Sequence, residues 1–132
     1  MLPPDDIPVL LKKFDILLFP SVWVEPFGRV VLEAMISKVV VVATPTGGPG
    51  EVIVDGQNGL LFTTNNPEDL AHKVSLLIDN PNMRRKLAYA AQQTVMENFT
   101  MNIMLDKVES YLSEVNLFIE QSKEINLGLK EF

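Results

Sequence analysis

"DILLFPS" (Asp15–Ser21), "GRVVLEAMIS" (Gly28–Ser37) and "VVVVAT" (Val39–Thr44) follow one another with short connections, and their order decides the fold. The first is a continuous apolar run stopped by proline, which suits a strand buried on both faces. The second begins at a glycine and is apolar on nearly every side, as a covered helix would be. The third is a run of β-branched residues, the strongest strand signal in the chain. Strand, helix, strand in this sequence order is the mark of parallel strands joined by a crossover.

Outward from this unit the pattern continues. "PTGGPGE" reads as a loop, "EVIV" as a short helical turn, and Asp55-Gly56 and Asn58-Gly59 as turns. "GLLF" (Gly59–Phe62) reads as a third buried strand. Asn66 caps a helix with Pro67 in its first turn, and Leu70, Val74, Leu77 and Ile78 form its apolar stripe. Asn80 and Pro81 repeat that start for a helix running to about Glu97, and Thr100 opens a last helix reaching at least Ile119. Upstream, Asp6 is placed to cap a short helix over "IPVLLKKF". The tail "SKEINLGLKEF" is expected to fray. The fold class is therefore α/β, a parallel sheet of about three strands with flanking helices and long C-terminal helices. A complete doubly wound sheet has five or six strands, so the chain reads as half of one.

Composition narrows the chemistry. The 132 residues are 47% hydrophobic, sufficient for one folded core. With no cysteine and a single histidine, disulfides, thiolate nucleophiles and multi-histidine metal sites are excluded. A net charge of −6 argues against a nucleic-acid partner, because neutralising phosphates needs clustered Lys and Arg. The one basic cluster, Arg84 to Lys86, reads as a solvated helix face. No apolar run reaches the length of a membrane span, and the N-terminus lacks the basic start of a secretory signal. A cytoplasmic location is expected, with peripheral membrane attachment as the other option.

Glu33 poses the chemical question. It stands eight positions after Glu25, inside the apolar helix, where an unpartnered carboxylate would be costly. One partner is Arg29, four residues earlier, in the weaker of the two charge orders. The other is a pair of vicinal ligand hydroxyls, as acidic residues bind ribose in dinucleotide folds. The helix start "PFGRV" supplies free N–H groups beside a glycine at the carboxyl end of a strand, a site suited to phosphate. "TGGPGE" follows the next strand in the same way; Gly47 and Gly48 there are either a ligand floor or an ordinary turn. Trp23 and Phe27 stand close enough to stack on a ligand or to cover the core, and His72 lies opposite the apolar stripe, facing solvent.

The ordered string "PS…EPFGRVVLEAM…VVVVATPTGGPGEVIVDGQNGLLF" closely resembles the nucleotide-binding half of retaining glycosyltransferases of the two-domain GT-B fold, the glycosyl transferases group 1 family, over Ile7 to about Tyr111. The resemblance implies a partial Rossmann-like sheet, the second half of a GT-B C-terminal domain, over residues 1–112, with 113–132 a helical extension. It implies that Glu25, as the catalytic-site carboxylate, contacts the donor sugar's hydroxyls. Phe27, Gly28, Arg29 and Val30 would line sugar and diphosphate, largely through backbone N–H groups. Glu33 would hold the ribose hydroxyls, and Gly47, Gly48 and Glu51 would form the second loop. The donor would be a nucleoside diphosphate hexose, and the acceptor a glycan or lipid. No metal or further cofactor is implied, since transfer in this fold is metal-independent.

Two departures from the family pattern stand out. Lys38 occupies a usual glycine position after the helix, where a left-handed conformation is expected. The family's N-terminal domain and first C-terminal strands, with the cations that clamp the diphosphate, have no counterpart in these residues. The expected function is therefore the donor-binding part of a retaining hexosyltransferase, inactive without its missing domain. Alternatives are a non-catalytic binding or assembly module and a nucleotide-sugar epimerase-like relative. The last helix carries Met101, Met104, Val108, Tyr111, Val115 and Phe118 at alternating spacings of three and four, a seam for another helix. Expected partners are the nucleotide sugar and either a second copy or a complementary chain supplying the N-terminal domain.

Overall fold

The computed structural model describes Pro3 and residues 6–128, with side chains as far as Glu120. Helix α1 (Ile7–Leu11), strand β1 (Ile16–Phe19), helix α2 (Arg29–Ile36), strand β2 (Val40–Ala43), helix α3 (Gly48–Val52) and strand β3 (Leu60–Leu61) come first. Helices α4 (Pro67–Asp79), α5 (Pro81–Asn98) and α6 (Met101–Gly128) complete the chain. The chain divides into two compact units, Met1–Met96 and Glu97–Phe132. The first unit holds a single parallel sheet in the order β1-β2-β3, with Ile16 opposite Val40 and Val42 opposite Leu60.

The central strand shows why the valine run is there. Every residue from Val39 to Ala43 is at most 1% exposed, because helices cover both faces of β2. Val41 and Ala43 pack with Val31, Ala34 and Met35 of α2 and with Ala91 and Val95 of α5. Val40 and Val42 point the other way, onto Leu60, Phe62, Leu77 and Leu87. Burying such a side chain stabilises by about 1.5–3 kcal/mol, so this strand carries much of the core energy.

Helix α5 contributes to both layers, and polar contacts show its course. Arg84 Nε lies 3.5 Å from Asp15 Oδ1, and its Nη1 donates to Leu77 O at 2.8 Å. Gln92 donates to Ile36 O at 3.0 Å, and Asn58 Nδ2 donates to Thr94 Oγ1 at 3.1 Å. Asp15, Ile36 and Asn58 all precede strands, so α5 runs beneath the strands' amino ends.

Several expectations are corrected. β1 is not covered on both faces: it is an edge strand, and Leu18, on the Val40 side, is 45% exposed. Ile78 is also exposed, because burial on α4 centres on Leu77 and the stripe is narrower than its sequence suggests. α3 starts at Gly48, not Glu51: Gly47 has φ +62°, and Pro49 can occupy a first helical turn that needs no N–H donor. β3 is shorter than "GLLF", although Phe62 N still bonds Ala43 O. Asp6 makes no side-chain cap, and α1 stops at Leu11. Arg84 is not merely solvated, as its contacts above show. The tail expected to fray is helical as far as Gly128, and 129–132 lie outside the described residues.

The predicted caps of the later helices form. Asn66 Oδ1 accepts from Asp69 N at 3.0 Å, Asn80 Oδ1 from Met83 N at 3.0 Å, and Thr100 Oγ1 from Ile103 N at 3.4 Å. Lys38 takes φ +61°, the left-handed conformation foreseen for the glycine it replaces. Among the described residues, no helix is long and apolar enough to cross a membrane.

Candidate functional site

Two loops leave the carboxyl ends of β1 and β2 and lock together. The Thr44 hydroxyl, at the buried end of β2, donates to Ser21 O, and Thr46 Oγ1 donates to the same oxygen at 3.1 Å. Further along, Gly48 N donates to Glu25 O at 2.7 Å. The glycines make this approach sterically feasible. A Cβ on Gly47 would stand 2.2 Å from Glu25 O, and one on Gly48 2.6 Å from the Phe27 carbonyl carbon. Gly28 has φ +66° and sits against the Pro49 ring, 3.2 Å from where its Cβ would lie. Both glycines of the second loop are thus required by contact with the first loop.

This contact aims the start of α2. Gly28 is its left-handed N-cap, no side chain caps the helix, and Val31 N bonds back to Gly28 O at 2.8 Å. Among the described residues the N–H groups of Arg29 and Val30 have no acceptor, so they present the positive end of the helix dipole. The Glu25 carboxylate folds toward the same point, with Oε1 at a long 3.4 Å from Gly28 N. The structure therefore brings Glu25, Phe27, Gly28, Arg29 and Val30 together at one helix start.

Glu33 lies one turn further along α2. Its side chain is 19% exposed, and Oε1 accepts from Arg29 Nε at 2.8 Å, while the Arg29 side chain is 76% exposed. The ion pair considered from sequence is formed. It occupies only one carboxylate oxygen, and among the described residues nothing bonds to Oε2. Glu51 is exposed on the first turn of α3 and is not hydrogen-bonded to Glu25 or Glu33. Trp23 is 80% exposed and Phe27 59%, which rules out a core role for either; His72 is exposed as expected.

Sequence reasoning missed the hydroxyl anchors Ser21, Thr44 and Thr46. The available signal was Thr44 itself, a polar β-branched residue closing an apolar run at the strand end that binds ligands. Two clefts open along the sheet's carboxyl side. One, of about 280 Å³, is lined by Pro20, Thr44, Phe62 and Asn66; a broader one, of about 670 Å³, follows β3 past Asp55, Thr63, Asp69 and Lys73. Neither is lined by Glu25 or Glu33. Among the described residues no three His, Asp or Glu side chains are grouped to hold a metal ion.

Comparison with known proteins bears on the family and the fold. A model of the family "Glycosyl transferases group 1" matches residues 1–94. An uncharacterized glycosyltransferase of Methanocaldococcus jannaschii is 42% identical over 83 residues, 63% of this chain and 23% of that protein. The alpha-maltose-1-phosphate synthase of Mycolicibacterium smegmatis is 37% identical over 106 residues, 76% of this chain and 27% of that protein. Among solved structures, Anabaena HepE in complex with UDP and glucose superposes with a TM-score of 0.77 at 32% identity, covering 83% of this chain and 30% of that one. The chain thus spans about a quarter of the length of the curated relatives it matches.

Proposed function

We propose that this chain, which belongs to the glycosyl transferases group 1 family, is the donor-binding part of a retaining hexosyltransferase. The observation that carries the proposal is the uncapped start of α2. Its left-handed Gly28 is locked by the Gly47–Pro49 loop, and two carboxylates, Glu25 and Glu33, lie on either side of free N–H groups. The diphosphate sits on the N–H groups of Arg29 and Val30. The ribose hydroxyls donate to Glu33, and the sugar hydroxyls to Glu25. Gly47 and Gly48 hold this geometry, and Glu51 lies at the rim of the second loop. The family-derived part covers 1–112, and 113–132 is an extension.

Sugar transfer needs cations against the departing diphosphate. Among the described residues, the one cation on α2 is Arg29, whose guanidinium is engaged by Glu33. Donor binding without turnover is therefore the behaviour of these residues alone. The acceptor wall and further cations come from a complementary chain or from residues beyond those given. The transfer requires no metal or other cofactor.

Isothermal titration with UDP and UDP-glucose tests the proposal. Binding of the nucleotide in chelator is expected, with no sugar transferred to maltoheptaose. Absence of binding by UDP and by other nucleoside diphosphates would overturn the donor reading. Robust turnover by the chain alone would overturn its dependence on a second part.

A further inference from the structure

Between two fixed points the chain lifts three apolar side chains, its one tryptophan among them, into solvent. Ser21 O is held by Thr44 and Thr46, and Glu25 O by Gly48 N. Between these anchors Val22, Trp23 and Val24 are 57%, 80% and 79% exposed. This loop is pinned at both ends, and Ser21 Oγ also reaches Trp23 O at 3.5 Å, so the indole is presented outward. An aromatic ring held in solvent beside a polar site is the usual form of a recognition surface.

The neighbouring chemistry indicates what it recognises. Glu25 stands two residues on, with its carboxylate at the start of α2. A pyranose ring has a rim of hydroxyl donors and a face of weakly positive C–H groups. A carboxylate accepts from the rim, and the negative face of an indole receives the C–H face. We propose that Trp23 is a stacking platform for a pyranose ring whose hydroxyls reach Glu25. The proposal rests on the donor-site reading above. The ring belongs either to the donor hexose or to a glycan acceptor, and the chemistry at Trp23 is the same in both cases.

Trp23 is the only tryptophan in the chain, so intrinsic fluorescence reads this position without a label. The full chain is titrated with UDP, with UDP-glucose, and with maltoheptaose in the presence and absence of UDP. A shift in emission with UDP-glucose beyond that with UDP assigns the ring to the donor. A shift only with maltoheptaose assigns it to the acceptor. In calorimetry, Trp23→Ala should weaken the sugar-dependent part of binding by about three- to tenfold and leave UDP itself unchanged. Val24→Ala, equally exposed on the same loop, should change neither. UDP binding with no response of Trp23 to either sugar would overturn the platform and leave the donor reading intact. Failure of UDP and of the other nucleoside diphosphates to bind would refute the donor reading. The maltoheptaose arm without nucleotide then decides for Trp23: a shift lost in Trp23→Ala supports the platform, and none overturns it.

Discussion

At the scale of single residues, Glu33 and Lys38 illustrate two kinds of local conflict. Glu33 is four-fifths covered and paired with an exposed arginine, and an exposed (i, i+4) pair contributes only about 0.3–0.5 kcal/mol. Glu33→Gln should therefore barely move the melting temperature while weakening UDP binding at least about tenfold, the loss expected when a charged acceptor of two hydroxyls is removed. A marked loss of stability with unchanged titration, reproduced by Arg29→Ala, would assign the carboxylate to the ion pair alone. Lys38 holds a left-handed backbone that costs a non-glycine residue about 1–2 kcal/mol, offset in part by its ammonium lying 6.0 Å from the Tyr89 ring centroid. Lys38→Gly should raise stability by about 0.5–1 kcal/mol in urea unfolding. The strain at Lys38 was legible in the sequence, because the surrounding pattern calls for glycine there. The partner of Glu33 was not, since Arg29 and a ribose satisfy the same carboxylate equally well on paper.

At the scale of elements, the interlocked loops and the β3 edge give separate tests. Gly47→Ala would drive a methyl group into the Glu25 backbone and should cost at least about 2 kcal/mol together with nucleotide binding. Gly56→Ala has open space around it, so it should cost only the roughly 1 kcal/mol of its left-handed φ, in a comparison by chemical denaturation. Along the outer side of β3, Asp55 Oδ1 accepts from Leu61 N at 2.8 Å and Asp69 Oδ2 from Thr63 N at 2.7 Å, while Lys73 holds Asp55 at 3.0 Å. The bond from Thr63 N draws the Asp69 carboxyl below its ordinary 3.8. A depressed value stabilises the fold above the unfolded pKa, and that contribution is lost as pH falls through the lower folded value. Acid unfolding below about pH 4 should accordingly flatten in Asp69→Ala, as followed by circular dichroism. The three strands and the later helix caps were legible, because β-branched runs and Asn-Pro starts are local signals. The exposure of Leu18 and the early start of α3 were not. The first depends on which strand lies at the sheet edge, and the second on a loop contact distant in sequence.

At the scale of the whole molecule, the two sheet edges differ. The β3 edge offers Leu61 and Thr63 N–H groups already engaged by carboxylates, whereas β1 ends the sheet with Leu18 half exposed. An unblocked apolar edge invites another strand. We expect concentration-dependent association in light scattering, reduced by Leu18→Lys if it runs through β1 and by Val108→Glu if it runs through the apolar stripe of α6. A monomer at all concentrations, with both changes tolerated, would remove the case for a second copy. The contact of Gly47 and Gly48 with Glu25 and Phe27 constrains redesign of this chain. The second loop cannot gain a side chain at Gly47 or Gly48 without displacing the backbone of the first. The pair is best transplanted as one cassette. A donor preference borrowed from a relative would need both segments exchanged together, with Thr44 kept beneath them as the shared hinge pin.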